Sequence, residues 1–197
     1  MDFLKGTGVA IITPFKKNGE IDFNAYEFLI DFYINNGISY LVILGTTGES
    51  HTISFDEKDK ILKSVVKFNM GRLPLIVGFG ANNTQKLVNE FSNFELENFS
   101  AVLSVCPYYN KPSQVGLYEH FFYVSKASPI PLILYDVPSR TGVSISNQTI
   151  FKLLEKCDNI IGIKDATGDI KKGIDLIKNT PKSFNVISGD DFTALDL

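Results

Sequence analysis

The sequence predicts an α/β fold built around a parallel sheet, and three features of its pattern lead to that prediction. Short apolar runs alternate with helix patterns in seven units, spaced about 25–30 residues apart. The apolar runs are continuous rather than alternating, which is typical of parallel strands covered by helices. The segment Gly78-Phe-Gly80 lacks the third glycine of a dinucleotide-binding fingerprint, and no GxxxxGK[ST] motif occurs. A (β/α)8 barrel is therefore favoured over a doubly wound open sheet, as one domain over residues 1–197 with one strand missing.

Strands are predicted wherever a short apolar run is bounded by turn residues. Pro14 stops the first of them, because proline has no backbone N–H to donate. The seven predicted strands are residues 8–13, 40–44, 75–78, 101–105, 131–135, 159–164 and 184–188.

Helices are predicted between the strands, each opened by a residue that can cap its N-terminus. The segment Ser54-Phe-Asp-Glu57 is a capping box, in which a serine and a glutamate satisfy free N–H groups reciprocally. The predicted helices begin at Asp22, Ser54, Asn83 or Thr84, Ser113, Ser146 and Asp169. A last helix is predicted to begin within residues 189–191.

Composition excludes several classes of function. The chain is 44% hydrophobic with a net charge of −3, which gives no indication of nucleic-acid binding. No apolar run reaches the roughly 18 residues that a membrane-spanning helix needs. Cys106 and Cys157 form no CxxC pair and no signal pattern precedes them, so we expect a cytoplasmic location and no disulfide framework. The two histidines, His51 and His120, cannot form a histidine-rich metal centre.

Lys164 ends the sixth predicted strand, and in a barrel the chemistry lies at the C-terminal ends of the strands. Removal of water from a lysine lowers its pKa, because the ammonium loses its hydration. A neutral amine at neutral pH is what Schiff-base chemistry requires. In the alternative, Lys164 extends to solvent or pairs with Asp165 or Asp136.

Other polar residues at the same strand ends also have two interpretations. The turn at residues 45–48 could satisfy its own backbone groups or bind a carboxylate. Tyr135 could be a core tyrosine, and Arg140 could form a surface ion pair or a carboxylate clamp.

Two further features are interpreted as structural. Asp190 and Asp191 precede a helix and are more typical of caps than of a metal site, since partner ligands are missing. Cys106 is more typical of a small apolar filler than of a nucleophile.

Four motifs occur in order along this pattern, at residues 45–50 (GTTGES), 107–112 (PYYNKP), 135–142 (YDVPSRTG) and 162–168 (GIKDATG). Together they resemble the dihydrodipicolinate synthase family over essentially the whole chain. The resemblance implies a barrel enzyme, a lyase that condenses pyruvate with L-aspartate 4-semialdehyde in diaminopimelate and lysine biosynthesis. It also implies that no metal or organic cofactor is needed.

The resemblance assigns catalytic roles by position. Lys164 forms an imine with pyruvate, and Tyr135 shuttles protons at the reacting carbon. Thr47 hydrogen-bonds Tyr135 and links it to Tyr109. In the family, the residue at position 109 reaches into the active site of a neighbouring subunit, so a homodimer or homotetramer is implied.

Substrate binding is assigned in the same way. Thr46 and Thr47 hold the pyruvate carboxylate through backbone N–H and hydroxyl groups. Arg140 meets the carboxylate of the semialdehyde. N-acetylneuraminate lyase and related aldolases share the lysine and the tyrosine, but they resemble this sequence less at Arg140 and Thr46.

The sequence departs from the family pattern at its end. The family continues through an eighth strand and a helical region, whereas this sequence stops at residue 197. We expect a fragment of a longer protein rather than a short chain that is inactive alone, because the last helix pattern has no stop signal. A third hypothesis for the function is a non-catalytic remnant of a barrel.

Asp136 is a further departure from the family pattern, since asparagine is common at that position in the family.

A regulatory site is implied for relatives that lysine inhibits. Ser50, His51, Asn82 and Tyr108 map to that site by position. Lys86 falls where those relatives carry an acidic residue that pairs with the bound amine. Because a cation there repels the amine, we expect weak or no inhibition by lysine.

Overall fold

A computed structural model describes residues 2–195, and the fold divides into two compact units. The first unit comprises Met1–Gly78 and Glu97–Ala101, and the second comprises Phe79–Leu96 and Val102–Leu197. Each unit repeats the predicted alternation of strand and helix.

Among the described residues, the first unit contains three strands and two α-helices. These are β1 (Gly8–Ala10), α1 (Phe23–Asn35), β2 (Tyr40–Ile43), α2 (Phe55–Asn69) and β3 (Leu75–Gly78). Strand β2 pairs in parallel with β1 on one side and with β3 on the other. Tyr26 and Ile30 of α1 and Ile61 and Val65 of α2 are fully buried, so the apolar face of each helix forms part of the core.

The described part of the second unit contains the elements α3 (Thr84–Glu90), β4 (Ala101–Val105), α4 (Gln114–Ala127), β5 (Leu132–Asp136), α5 (Pro138–Thr141), α6 (Asn147–Leu154), β6 (Ile160–Asp165), α7 (Ile170–Asn179) and β7 (Asn185–Ser188). Its four described strands lie in the order β4-β5-β6-β7, and all are paired in parallel. Their consecutive order requires a crossover after each strand, and helices supply it.

The predicted helix caps are confirmed. In each case a side-chain oxygen accepts a hydrogen bond from the backbone N–H of the first turn, which would otherwise lack a partner. At Ser54 both bonds of the capping box are present. The N-caps are Asp22, Ser54, Asn83, Ser113, Ser146 and Asp169.

Three predicted elements differ from the structure. Strand β1 ends at Ala10, and Thr13 instead donates a side-chain hydrogen bond to the Gly48 carbonyl at 2.7 Å. The short helix α5 was not predicted; Pro138 opens it, where its missing N–H costs nothing. The helix predicted to begin at residues 189–191 is wrong within the described chain, since residues 191–195 form turns. Its predicted continuation through 196–197 lies outside the described residues.

Among residues 2–195, no helix is both long enough and apolar enough to cross a membrane.

Candidate active site

Lys164 and Tyr135 are neighbours on adjacent strands of the second unit. They occupy paired register positions on β6 and β5. The Lys164 amine nitrogen lies 4.8 Å from the centroid of the Tyr135 ring, within the range of a cation–π contact. Tyr135 is buried and Lys164 is partly buried. The parallel register therefore brings together the two side chains on which the predicted chemistry depends.

Burial makes the ammonium form of Lys164 less favourable than it is in water. Burial lowers the pKa of the amine, and the nearby Asp191 carboxylate opposes that change only in part. Gly189 packs against the aliphatic stem, since a Cβ added there would lie 2.8 Å from Lys164 Cε. The sequence did not single out Gly189, because a glycine between a strand and a turn has many ordinary explanations.

Asp136 and Asp165 pair with Lys172 rather than with Lys164. The Lys172 amine donates to Asp136 Oδ2 and lies 3.5 Å from Asp165 Oδ2. The alternative in which Lys164 pairs with these carboxylates is therefore wrong. Sequence reasoning missed Lys172, although strand alternation was a usable signal: Asp136 and Asp165 directly follow Tyr135 and Lys164 and so point to the opposite face of the sheet.

Thr46 and Thr47 belong to the first unit, on a tight turn after β2. The Gly48 and Glu49 N–H groups donate to the Gly45 and Thr46 carbonyls at 3.1 and 3.0 Å. Both threonines are exposed. The turn thus satisfies its own backbone groups and still presents two hydroxyls, so the two interpretations of this segment are compatible. The roles of Thr46 and Thr47 toward pyruvate stay predictions.

The double tyrosine lies on a loop after β4 in the second unit. Tyr109 has a φ of +72° and is 88% exposed, an uncommon backbone conformation for an aromatic residue. Asn110 donates its side-chain amide to the Asn82 carbonyl at 3.4 Å, which ties this loop to the segment before α3. The strained backbone holds an aromatic side chain outward, and the predicted reach of Tyr109 into a neighbouring subunit stays a prediction.

Arg140 stands in the last turn of α5 and is exposed. The helix ends at Gly142, whose φ of +72° provides a left-handed cap. Thr141 fixes the same end by donating its hydroxyl to the Val143 carbonyl at 2.7 Å. No ion pair to Arg140 is present within the described residues. Its guanidinium is therefore accessible to a carboxylate ligand.

Cys106 behaves as the predicted apolar filler, whereas Asp190 caps a turn rather than the predicted helix. Cys106 is fully buried, and burial raises the pKa of its thiol, so a thiolate nucleophile is disfavoured. Asp190 accepts hydrogen bonds from the Thr193 N–H and hydroxyl at 3.1 and 2.8 Å, as a capping residue does. Within residues 2–195, no cluster of histidine, cysteine and carboxylate side chains could hold a metal ion.

The residues assigned to regulation are distributed over both units. Ser50 and His51 lie on the turn that follows Thr46 and Thr47, in the first unit. Asn82 and Tyr108 lie in the second unit, and partial burial raises the pKa of Tyr108. Lys86 is exposed in the first turn of α3. The regulatory role of the four residues stays a prediction.

Comparison with known proteins agrees with the four motifs. The pattern of the dihydrodipicolinate synthetase family matches residues 3–197. A 4-hydroxy-tetrahydrodipicolinate synthase of Flavobacterium psychrophilum is 50% identical over 192 residues, which cover 98% of this chain and 66% of that protein.

Solved structures agree as well. The crystal structure of dihydrodipicolinate synthase from Aquifex aeolicus superimposes with a TM-score of 0.92 at 43% identity, over 97% of this chain and 65% of that one. A chloride-inhibited dihydrodipicolinate synthase from Acinetobacter baumannii, complexed with pyruvate, also has a TM-score of 0.92 and 43% identity, over 98% and 66% of the two chains.

The chain thus spans slightly less than two thirds of the length of these relatives. The match to them confirms the predicted fold class, the (β/α)8 barrel, of which this sequence supplies seven strands within the described residues. Since the family pattern covers nearly every residue and the identity reaches one half, the chain belongs to the dihydrodipicolinate synthetase family.

Proposed function

We propose that the protein is a lyase that condenses pyruvate with L-aspartate 4-semialdehyde through an imine at Lys164. The observation that carries the proposal is the Lys164 amine, partly buried with a lowered pKa and held 4.8 Å from the Tyr135 ring centre. Membership in the family supports it, as does the A. baumannii relative that binds pyruvate.

Imine formation begins with the neutral amine of Lys164. Its nitrogen attacks the pyruvate keto carbon, and a proton moves from that nitrogen to the carbonyl oxygen, which becomes a hydroxyl. That hydroxyl then leaves as water after it gains a proton, which the Tyr135 phenol donates. A tyrosine with a pKa near 10 is a weak acid and base alone, so it needs hydrogen-bonded partners; we assign this role to Thr47, with Tyr109 beyond it.

The carbon–carbon bond forms in the next step. The protonated imine nitrogen withdraws electrons, and the pyruvate methyl group loses a proton to the Tyr135 phenolate to give an enamine. The enamine carbon attacks the aldehyde carbon of the semialdehyde, and the Tyr135 phenol donates that proton to the aldehyde oxygen. Water then hydrolyses the new imine, which returns a proton to Tyr135 and releases the product and the free Lys164 amine. Because the imine is the electron sink, the proposed chemistry needs neither a metal nor an organic cofactor.

Substrate binding follows from exposed polar groups at the ends of strands. Thr46 and Thr47 bind the pyruvate carboxylate through hydroxyl and backbone N–H donors. Arg140 binds the semialdehyde carboxylate, for which its planar fork of N–H groups is suited.

We propose the location, pathway and assembly of the enzyme from its membership in the family. The protein acts in the cytoplasm, in diaminopimelate and lysine biosynthesis. It assembles as a homodimer or homotetramer in which the exposed Tyr109 side chain enters the active site of a neighbouring subunit.

Reductive trapping tests the proposal. The protein is incubated with pyruvate and sodium borohydride, and peptide mass spectrometry locates the adduct. We expect one pyruvate-derived adduct at Lys164 and none in Lys164→Ala. An adduct at another lysine, or no adduct, overturns the proposal and favours a non-catalytic remnant of a barrel. Cleavage of N-acetylneuraminate without turnover of the semialdehyde would indicate the related lyase instead.

Regulation by lysine is proposed to be weak or absent. Lys86 is exposed at the start of α3 and places a positive charge where lysine-inhibited relatives carry an acid. Like charges repel, so the amine of a bound lysine is disfavoured there. A rate unaffected by millimolar lysine is expected, whereas inhibition at micromolar lysine would contradict it. Lys86→Glu should increase the sensitivity.

A further inference from the structure

Two residue pairs occupy successive register positions on β5 and β6. Tyr135 is opposite Lys164, and Asp136 is opposite Asp165. Successive side chains of a strand point to opposite faces. The carboxylate pair is therefore directly behind the tyrosine and the lysine, on the other face of the sheet.

Lys172 of α7 joins these two carboxylates. Its amine donates to Asp136 Oδ2 and lies 3.5 Å from Asp165 Oδ2. The Ser144 hydroxyl also donates to Asp136 Oδ2, at 2.6 Å. Asp136 is fully buried and Asp165 is 4% exposed. One ammonium on a helix thus connects the ends of two neighbouring strands.

Asp165 also organises the turn that follows β6. Its Oδ1 accepts hydrogen bonds from the Thr167 N–H at 2.9 Å and from the Thr167 hydroxyl at 2.6 Å. The backbone adds two links, because Ala166 N–H donates to the Asp136 carbonyl at 2.8 Å and Gly189 N–H to the Asp165 carbonyl at 2.7 Å. Hydrogen bonds therefore connect the ends of β5, β6 and β7 next to Lys164.

The charge balance of this cluster is uneven. Two buried carboxylates share one ammonium, and Asp136 Oδ1 and Asp165 Oδ2 have no hydrogen-bond partner among the described residues. Burial raises the pKa of Asp136, and the charge of Lys172 opposes that increase. A buried carboxylate without a partner is strongly disfavoured. Both acids consequently depend on Lys172 for the balance of their charge.

We propose that Lys172 is a positioning residue: by bridging Asp136 and Asp165 it holds Tyr135 and Lys164 in the register that imine formation requires. The proposal rests on the proposed function, and it gives Asp136 a role that the sequence left open. A reacting group displaced by about 1 Å can lose about 100-fold in rate, so a fixed register matters for the chemistry.

The test measures the reactivity of the Lys164 amine in two ways. The first is the rate of borohydride trapping with pyruvate. The second is the pH dependence of acetylation of Lys164 by acetic anhydride, which needs no substrate. The charged and titratable groups near Lys164 and the cluster are Asp136, Tyr135, Asp165, Lys172, Asp191 and Cys106.

The variants separate position from charge. Lys172→Met removes the bridge. The double variant Lys172→Met, Asp136→Asn also lacks the bridge, but it keeps the net charge of the cluster at −1. It should therefore fold even where Lys172→Met alone does not. Lys171→Met is the matched control, since that lysine is exposed on the same helix. Thermal unfolding selects the variants that are folded.

In a folded variant without the bridge, we expect the rate of borohydride trapping at Lys164 to fall by about 10- to 100-fold. We also expect the pH dependence of Lys164 acetylation to shift. Lys171→Met should match the unchanged protein. A variant that melts earlier but keeps both the trapping rate and the profile overturns the proposal, since Lys172 is then only structural. If the unchanged protein gives no adduct, the proposed function fails. The acetylation assay still tests Lys172 in that case, because a profile that does not shift in the variants contradicts its positioning role.

Discussion

Gly189 and Lys164 are packed so closely that position 189 has no room for a side chain. A Cβ added to Gly189 would lie 2.8 Å from Lys164 Cε and 3.1 Å from Lys164 Cγ. Atoms at such distances overlap, so one of them must move. The lysine stem is flexible and will move more easily than the backbone.

Gly189→Ala should therefore displace the lysine, and it should also lower the melting temperature, because the added Cβ would lie 3.0 Å from Ala166 Cβ, which cannot move without the backbone. We expect the trapping rate with pyruvate to fall about 10-fold or more, because the amine leaves its place beside Tyr135. Gly37→Ala is the matched control: its φ of +76° strains an alanine, but no atom lies within 4 Å of the added Cβ. It should lower the melting temperature without changing the trapping rate. Equal trapping in all three proteins would show that Gly189 does not position the lysine.

Tyr135→Phe should separate the ring from the hydroxyl. The ring can remain beside the Lys164 amine, but no proton donor is left. General acid–base catalysis typically contributes about 100- to 10,000-fold, and we expect a loss within that range in the rate of imine formation. Tyr123→Phe makes the same chemical change on a tyrosine that is 56% exposed, and it should have no effect. A loss below about 3-fold in Tyr135→Phe would argue against proton transfer by this phenol.

The Lys164 amine should become reactive at a lower pH than the amine of an ordinary lysine. Burial lowers its pKa from 10.5, since the ammonium is the form that loses hydration. Asp191 acts in the other direction because its negative charge favours the ammonium. Asp191→Asn should therefore move the midpoint of Lys164 acetylation further toward low pH.

Two controls check that prediction about Asp191. Asp158→Asn removes an exposed carboxylate from the turn before β6 and should leave the midpoint in place. The effect of Asp191→Asn should also shrink at high salt, because solvent ions screen charges near the surface. A midpoint that moves toward high pH would mean that Asp191 does not act on the amine through its charge.

The sequence predicted most of the fold because its signals are local. Each cap depends on one short polar side chain near the start of a helix, as at Ser54 and Asp169. The parallel sheet followed from continuous apolar runs. The last helix was wrong because Asp190, after β7, serves a turn in which it accepts a hydrogen bond from the Thr193 N–H. A capping residue in sequence does not reveal how many turns follow it.

The candidate site was predictable in part for the same reason. Lys164 and Tyr135 end predicted neighbouring strands, so their proximity follows from topology. Lys172 was not predictable in this way, because its contacts with Asp136 and Asp165 depend on how α7 packs over the sheet. Gly189 was missed since close packing against a lysine leaves no trace in a single sequence.

Stability should depend on pH through His120. This side chain is 3% exposed, and its Nδ1 lies 2.8 Å from the Thr84 hydroxyl. The Nε2 atom is buried without a hydrogen-bond partner among the described residues. Burial lowers the pKa of His120 to about 4, so the folded chain holds the ring neutral. The unfolded chain binds a proton near pH 6.5, the ordinary value for histidine.

The sign of the effect follows from proton binding. Between pH 6.5 and 4 the unfolded state binds more protons than the folded state, so the free energy of unfolding falls as pH falls. A pKa of about 4 in the folded chain against 6.5 in the unfolded chain corresponds to about 3 kcal/mol. Urea unfolding at pH 7 and at pH 4 measures this loss. His120→Gln should remove that part of the pH dependence, while His51→Gln, a change at an exposed histidine, should retain it. If His120→Gln and the unchanged protein lose the same stability over this range, His120 titrates alike in both states and is not held neutral by the fold.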